Sequence, residues 1–188
     1  MGRIYLIRHP ATQVEAARPS QEWDLSEAGR RQLEQLLRAP WWPSVRHVYA
    51  STERKAGIVA EAASERSDLP YSRHRELAEL GRPPGLYADY AEQIAYALQY
   101  PGAARPGWET VRSAQERIWS FLQAVVAVGP LPAVVVSHGI ILTALRAALL
   151  DHETPGVAAW KSLPFAAVAE VKSEGWIMVQ DFASVGAD

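Results

Sequence analysis

The 188-residue chain reads as an α/β protein, a three-layer α/β/α sandwich around a mostly parallel sheet. Three observations predict this. Short β-branched apolar runs alternate with stretches of helical periodicity, the pattern that builds parallel sheets covered by helices. The runs IYLI and AVVV are apolar throughout, as buried strands are. The composition, 48% hydrophobic and 21% charged, is that of one globular domain spanning 1–188, with a core large enough to bury roughly 70% of the unfolded surface.

The elements follow in order. Arg3 to Ile7 form a strand broken by Arg8-His9-Pro10. After a polar loop, Ser26 and Glu27 open a helix with Ala28, Leu33, Leu36 and Leu37 on one face, and PWWPS ends it. Val45 to Ser51 is a second strand, followed by a helix from Thr52 to Ser64 carrying Ile58, Val59 and Ala62 as its apolar stripe. Leu69 to Glu76 is a third, more polar strand. Between RPPG and YPGAARPG, residues 81–107 form an insertion or lid with a short helix containing Tyr87, Tyr90, Ile94 and Leu98. A long amphipathic helix then carries Val111, Ala114, Ile118, Phe121, Leu122 and Val125. LPAVVV is the clearest buried strand and leads through Ser137, His138 and Gly139 into an apolar helix ending near Leu150. Val168 to Lys172 and Ile177 to Asp181 close the chain as a hairpin.

Composition narrows the chemistry. There is no cysteine, which removes disulfides, zinc ribbons, iron–sulfur clusters and thiolate nucleophiles together. A net charge of -2 argues against a dedicated nucleic-acid or anionic-membrane binder. No stretch reaches the ~20 apolar residues of a membrane helix, and Arg8 interrupts the first apolar run early, so a cytoplasmic protein is expected.

In parallel sheets the ligand site lies off the carboxyl ends of the strands. Two strands here end in histidine: His9 follows IYLIR and His138 follows AVVVS. A single histidine in such a place is most often a structural residue. Two on one sheet edge, with Arg8 beside one and free backbone N–H groups nearby, favour an anion site. A two-histidine metal site is the alternative, opposed by the fixed charge of Arg8 and by the absence of HExxH-type spacing. GxxxxGK[ST], GxGxxG and GxSxG are also missing, leaving histidine as the candidate nucleophile.

Five motifs in order carry a family resemblance: RHPAT at 8–12, LSEAGRRQ at 25–32, STERKA at 51–56, LAE at 77–79 and VVVSHG at 134–139. Together they resemble the histidine phosphatase superfamily, whose patterns are R-H-G-x-T, L-T-x-x-G-x-x-Q, S-x-x-x-R-A, L-x-E and S-H-G. The resemblance implies a phosphoglycerate mutase-like fold and a phosphomonoesterase needing no cofactor or metal, acting on a phosphorylated small molecule. It assigns His9 as nucleophile and Glu79 as general acid and base. Arg8, Thr12, Arg54 or Lys55, His138 and Gly139 fall to the phosphate. Pro10 replaces the family's glycine and lacks an N–H. Strict count aligns the family's second arginine with Lys55, while Arg54 stands one place earlier; adjacent helical residues point about 100° apart, so only one of them faces the phosphate. Glu76 competes with Glu79, which has the L-x-E register. Phosphoglycerate mutase-type transfer is the nearest alternative, but QVEAARPSQEW after the first motif has no Asn. A non-catalytic phosphate-binding module, suggested by Pro10 and Lys55, is the other.

Overall fold

The structure, a computed structural model, describes residues 2–85 and 87–185. Six strands form one sheet in the order β3-β2-β4-β1-β5-β6: β1 Arg3–Arg8, β2 His47–Ser51, β3 Tyr71–His74, β4 Ala133–Ser137, β5 Ala167–Lys172 and β6 Ile177–Ser184. The first four in that order run parallel to their neighbours. The last two pair antiparallel and make the expected closing hairpin.

Among the described residues six α-helices cover the sheet: α1 Glu27–Leu36, α2 Arg54–Ser67, α3 Tyr90–Gln99, α4 Val111–Val128, α5 Gly139–Leu149 and the short α6 Val157–Ser162. Side chains alternate across each strand, so β1 sends Tyr5 and Ile7 to one face and Ile4 and Leu6 to the other. Tyr5, Ile7, Val48, Ala50, Val134 and Val136 pack under α1 and α2. Ile4, Leu6, Ala133 and Val135 pack with α3, α4 and α5. These two cores make the three layers.

The structure moves some expected boundaries. The helix expected from Thr52 begins at Arg54, with Glu53 as its extended N-cap residue, and runs on to Ser67. Tyr87 lies before α3, which starts after Asp89. Within the 81–107 segment Ile94 and Leu98 are fully buried against the α4 and α5 side of the core. Trp42 is buried and donates its indole N–H to Leu36 O at 2.8 Å, which seals the end of α1 as the PWWPS sequence suggests.

Candidate active site

The parallel pairing aligns the two histidines. Arg8 stands opposite Ser137 in the β1–β4 register, so His9 and His138 leave the sheet side by side. His9 N–H still donates to Ser137 O at 3.0 Å, and the two imidazole rings lie 5.1 Å apart. β2 ends beside them and delivers Glu53 and Lys55. β3 ends at His74, and a turn of 3-10 helix over Arg75–Leu77 brings Glu79 to the same edge. β5, running the opposite way, starts there and contributes the preceding Leu163 and Phe165.

The first motif loop is held by the second. Ser26 caps α1 by accepting from Gly29 N at 3.1 Å. Ser26 N–H donates to Ala11 O at 3.0 Å, and Gln32 Oε1 accepts from Ala11 N at 2.8 Å. A Cβ on Gly29 would lie 1.9 Å from Ala11 O, so a glycine is required for this close approach. LSEAGRRQ is thus the cradle of RHPAT.

Each site residue has a specific setting. His9 is 6% exposed, and its Nδ1 lies 2.8 Å from Pro10 O. A carbonyl only accepts, so Nδ1 carries the proton and Nε2 keeps the lone pair. Pro10 therefore serves this contact through its carbonyl, which a missing N–H leaves intact. Burial first, then the charges near His138 and Lys55, push the His9 imidazole well below its ordinary pKa. The same happens at the fully buried His138 through burial, Lys55 and Arg117. Arg8 donates to Leu163 O and stacks 3.9 Å over the Phe165 ring. Burial lowers the Arg8 guanidinium from its ordinary value, and a guanidinium stays charged in proteins.

Lys55 and Arg54 part company. Lys55 is 6% exposed, lines the pocket, and donates to Ser20 O at 2.6 Å and Glu53 Oε2 at 2.5 Å. Arg54, named with it as a phosphate ligand, points out to Asp24 on the exposed surface at 2.8 Å. Of the two alternatives it is thus Lys55 that lines the pocket and Arg54 that does not: α2 begins at Arg54, and its first turn sends residue 55 inward and residue 54 to solvent.

Glu79 lines the pocket and Glu76 does not. The Glu79 carboxylate accepts from Leu80 N at 3.0 Å and from the first turn of α5, Ile140 N at 3.0 Å and Ile141 N at 3.1 Å. Oε1 takes two of these bonds and Oε2 one, which leaves a lone pair on Oε2 for a proton. Arg117 on α4 holds the loop, donating to Glu76 O at 2.6 Å and Ala78 O at 3.2 Å. Glu109 pairs with Arg117 at 2.9 Å and accepts from Gly81 N at 3.0 Å, so it buttresses this loop, while Thr110 caps α4.

Arg8, His9, Lys55, Glu79 and His138 line a cavity of about 180 Å³, with Thr12, Gly139, Tyr90 and Arg82 also in its wall. Burial raises the Tyr90 hydroxyl to about 12, with Glu79 adding to the shift, so it remains a donor. An apolar-walled cavity with Trp23, Tyr87 and Tyr90 adjoins it. Among the described residues, three buried side-chain nitrogens find no hydrogen-bond partner: Arg8 Nε, His138 Nδ1 and His138 Nε2. His138 Nε2 comes within 3.5 Å of Glu53 Oε1 without making a hydrogen bond to it. Unpaired buried polar atoms are costly, and here they belong to residues lining one pocket whose wall also carries Lys55 and Arg82. The arrangement fits a polar, anionic ligand. Among the described residues no three His, Asp or Glu side chains converge as a metal site. No described helix is long and apolar enough to cross a membrane.

Sequence reasoning passed over Glu53, Trp160 and Phe165, which line the same cavity. Glu53 lay inside STERKA, where a charged residue between two strand-end motifs was the available signal; Phe165 and Trp160 carry no local signal.

Comparison with known proteins agrees with this architecture. A family model described as histidine phosphatase superfamily (branch 1) matches residues 4–176. No curated protein sequence matches significantly. Among solved structures, Bacillus stearothermophilus YhfR superposes with a TM-score of 0.76 at 22% identity, over 97% of this chain and 96% of that one. A mycobacterial glucosyl-3-phosphoglycerate phosphatase complexed with inorganic phosphate gives 0.72 at 23% identity, over 98% and 97%. An Entamoeba histolytica phosphoserine phosphatase gives 0.73 at 16% identity, over 99% and 98%. At these identities the likeness shows the phosphoglycerate mutase-like fold.

Proposed function

The chain belongs to the histidine phosphatase superfamily, and we propose that it is a metal-independent phosphomonoester hydrolase working through a phosphohistidine on His9. The observation that carries this reading is the set of unpaired buried nitrogens of Arg8 and His138 around a histidine whose Nε2 lone pair is free.

In the first step His9 Nε2 attacks phosphorus in line while the bond to the leaving alcohol breaks. The proton on Glu79 Oε2 passes to the leaving oxygen. The non-bridging oxygens face Arg8 Nε, the third N–H of Lys55 and His138, donors already desolvated and fixed, so little reorganisation accompanies charge transfer. In the second step Glu79 takes a proton from water, the water oxygen bonds to phosphorus, and the N–P bond breaks to return neutral His9 and phosphate. Lys55 supplies charge without the two-pronged grip of an arginine. Phosphorylated small molecules are the substrate class that a cavity of this size admits.

The test is direct. Wild-type protein should release phosphate from an aryl phosphate in the presence of chelator and yield an acid-labile, alkali-stable phosphoryl adduct on quenching. His9→Ala should lose both. Full turnover by His9→Ala would reject the mechanism. Binding of phosphate without turnover would point instead to a binding module.

A further inference from the structure

We propose that Glu53 is a positioning residue that ties the phosphate-facing ammonium of Lys55 to the proton-bearing carboxyl of Glu79. The inference rests on the hydrolase reading and adds to it a residue that the mechanism above does not use.

The Glu53 side chain is 6% exposed, and a buried carboxylate is costly unless its oxygens are paired. Each oxygen has one firm partner, and the two partners belong to different parts of the reaction. Oε2 accepts from Lys55 Nζ at 2.5 Å, and Oε1 accepts from the backbone N–H of Glu79 at 2.9 Å. Glu53 stands at the N-cap of α2, yet its side chain caps nothing in that helix. The carboxylate is turned away from its own helix and across to the loop that follows β3. Its backbone is fixed meanwhile by Glu53 N–H donating to Ser51 Oγ at 3.2 Å.

Both ends of the bridge need such a tether. Lys55 is a point charge on a four-carbon stem, and among the described residues only Glu53 and Ser20 O aim it, leaving its third N–H for the ligand. Glu79 has its carboxylate held by α5 and its main chain held by Glu53, so the position of Oε2 is set from both sides. Lys55 and the Glu79 N–H meet different oxygens of Glu53, and Gln at position 53 keeps an oxygen at only one of these places and turns an NH2 donor toward the other.

The two tethers have separable signatures. Loss of aim at Lys55 lowers kcat/KM for every phosphomonoester alike. Loss of aim at Glu79 lowers it most where the leaving alkoxide is basic and needs the proton. The experiment measures kcat/KM, which reports events up to departure of the alcohol, for wild type and Glu53→Gln on p-nitrophenyl phosphate, phenyl phosphate and glycerol phosphate. Glu53→Gln should lose about tenfold on p-nitrophenyl phosphate and about a hundredfold or more on the alkyl ester, a steeper dependence on leaving-group basicity. In a Glu79→Gln background the same substitution should leave that dependence where it is. The apolar pair Glu53→Leu/Lys55→Met removes both buried charges together, a change that buried ion pairs commonly tolerate, and should show the same steepening. An equal factor across the three substrates in these variants, or no loss at all, overturns the proposal. Turnover by His9→Ala would instead overturn the hydrolase reading beneath it, so the two failures are told apart.

Discussion

Lowering the pH from 7 to 5 should destabilise this protein through its two site histidines, by an amount set by their surroundings. His9 and His138 are 6% and 0% exposed, and burial with nearby cations holds both well below the ordinary imidazole value of 6.5. The unfolded chain, with unperturbed imidazoles, binds protons near pH 6.5 while the folded chain does not. The stability from this source is complete above pH 6.5 and is lost as the pH falls toward the folded-state values. Each proton taken up only by the unfolded chain costs about 1.4 kcal/mol per pH unit, so the loss by pH 5 has a ceiling of about 2 kcal/mol for each histidine and about 4 for the pair. Their rings lie 5.1 Å apart, so two imidazolium charges would repel by about 3 kcal/mol at an effective dielectric of about 20, which opposes escape through double protonation. Urea unfolding at pH 7, 6 and 5 measures the effect. A His9→Gln/His138→Gln protein should lose less stability over that interval than wild type, with a difference of up to about 4 kcal/mol. Parallel curves for the two proteins would refute the argument. The same burial requires that the acid limb of kcat/KM set by His9 lie below pH 6.5, and a limb above it would count equally against neutral His9.

Other outcomes follow from the same geometry. Lys55→Met leaves Glu53 buried without its cation and should destabilise by about 3–5 kcal/mol while lowering kcat/KM at least tenfold, read by unfolding and steady-state kinetics. Arg54→Ala removes only an exposed pair with Asp24 and should leave the unfolding midpoint nearly unchanged and activity within about twofold of wild type, read by urea unfolding and steady-state kinetics. Gly29→Ala drives a Cβ into Ala11 O, so either the loop carrying His9 or α1 must shift; a loss of about 2–4 kcal/mol and weaker orthophosphate binding are expected by calorimetry. Phe165→Ala removes the ring under the Arg8 guanidinium and should lower kcat/KM by several-fold, about 1 kcal/mol in transition-state terms, with little change at Lys55-dependent steps.

The sequence by itself determined the strand and helix order, and with it the sheet edge that carries the candidate site. Two apolar strands that each end in histidine place both rings on one edge once they pair in parallel, because parallel strands share the direction of their carboxyl ends. Motif spacing also selected Glu79 over Glu76. The tertiary structure decided what periodicity leaves open. Whether Arg54 or Lys55 turns inward depends on where α2 starts, and a two-residue shift of that start rotates every side chain by about 200°. Phe165 and Trp160 reach the pocket because β5 runs against β1, a pairing across more than 150 residues that no local pattern encodes. Glu53 has the same history: its sequence neighbours make it a helix-start residue, and only the packed fold places Glu79 N–H within 2.9 Å of it. Local sequence fixes backbone type and face, whereas the partner of a buried charge is chosen by whichever distant group the completed core brings within hydrogen-bond reach.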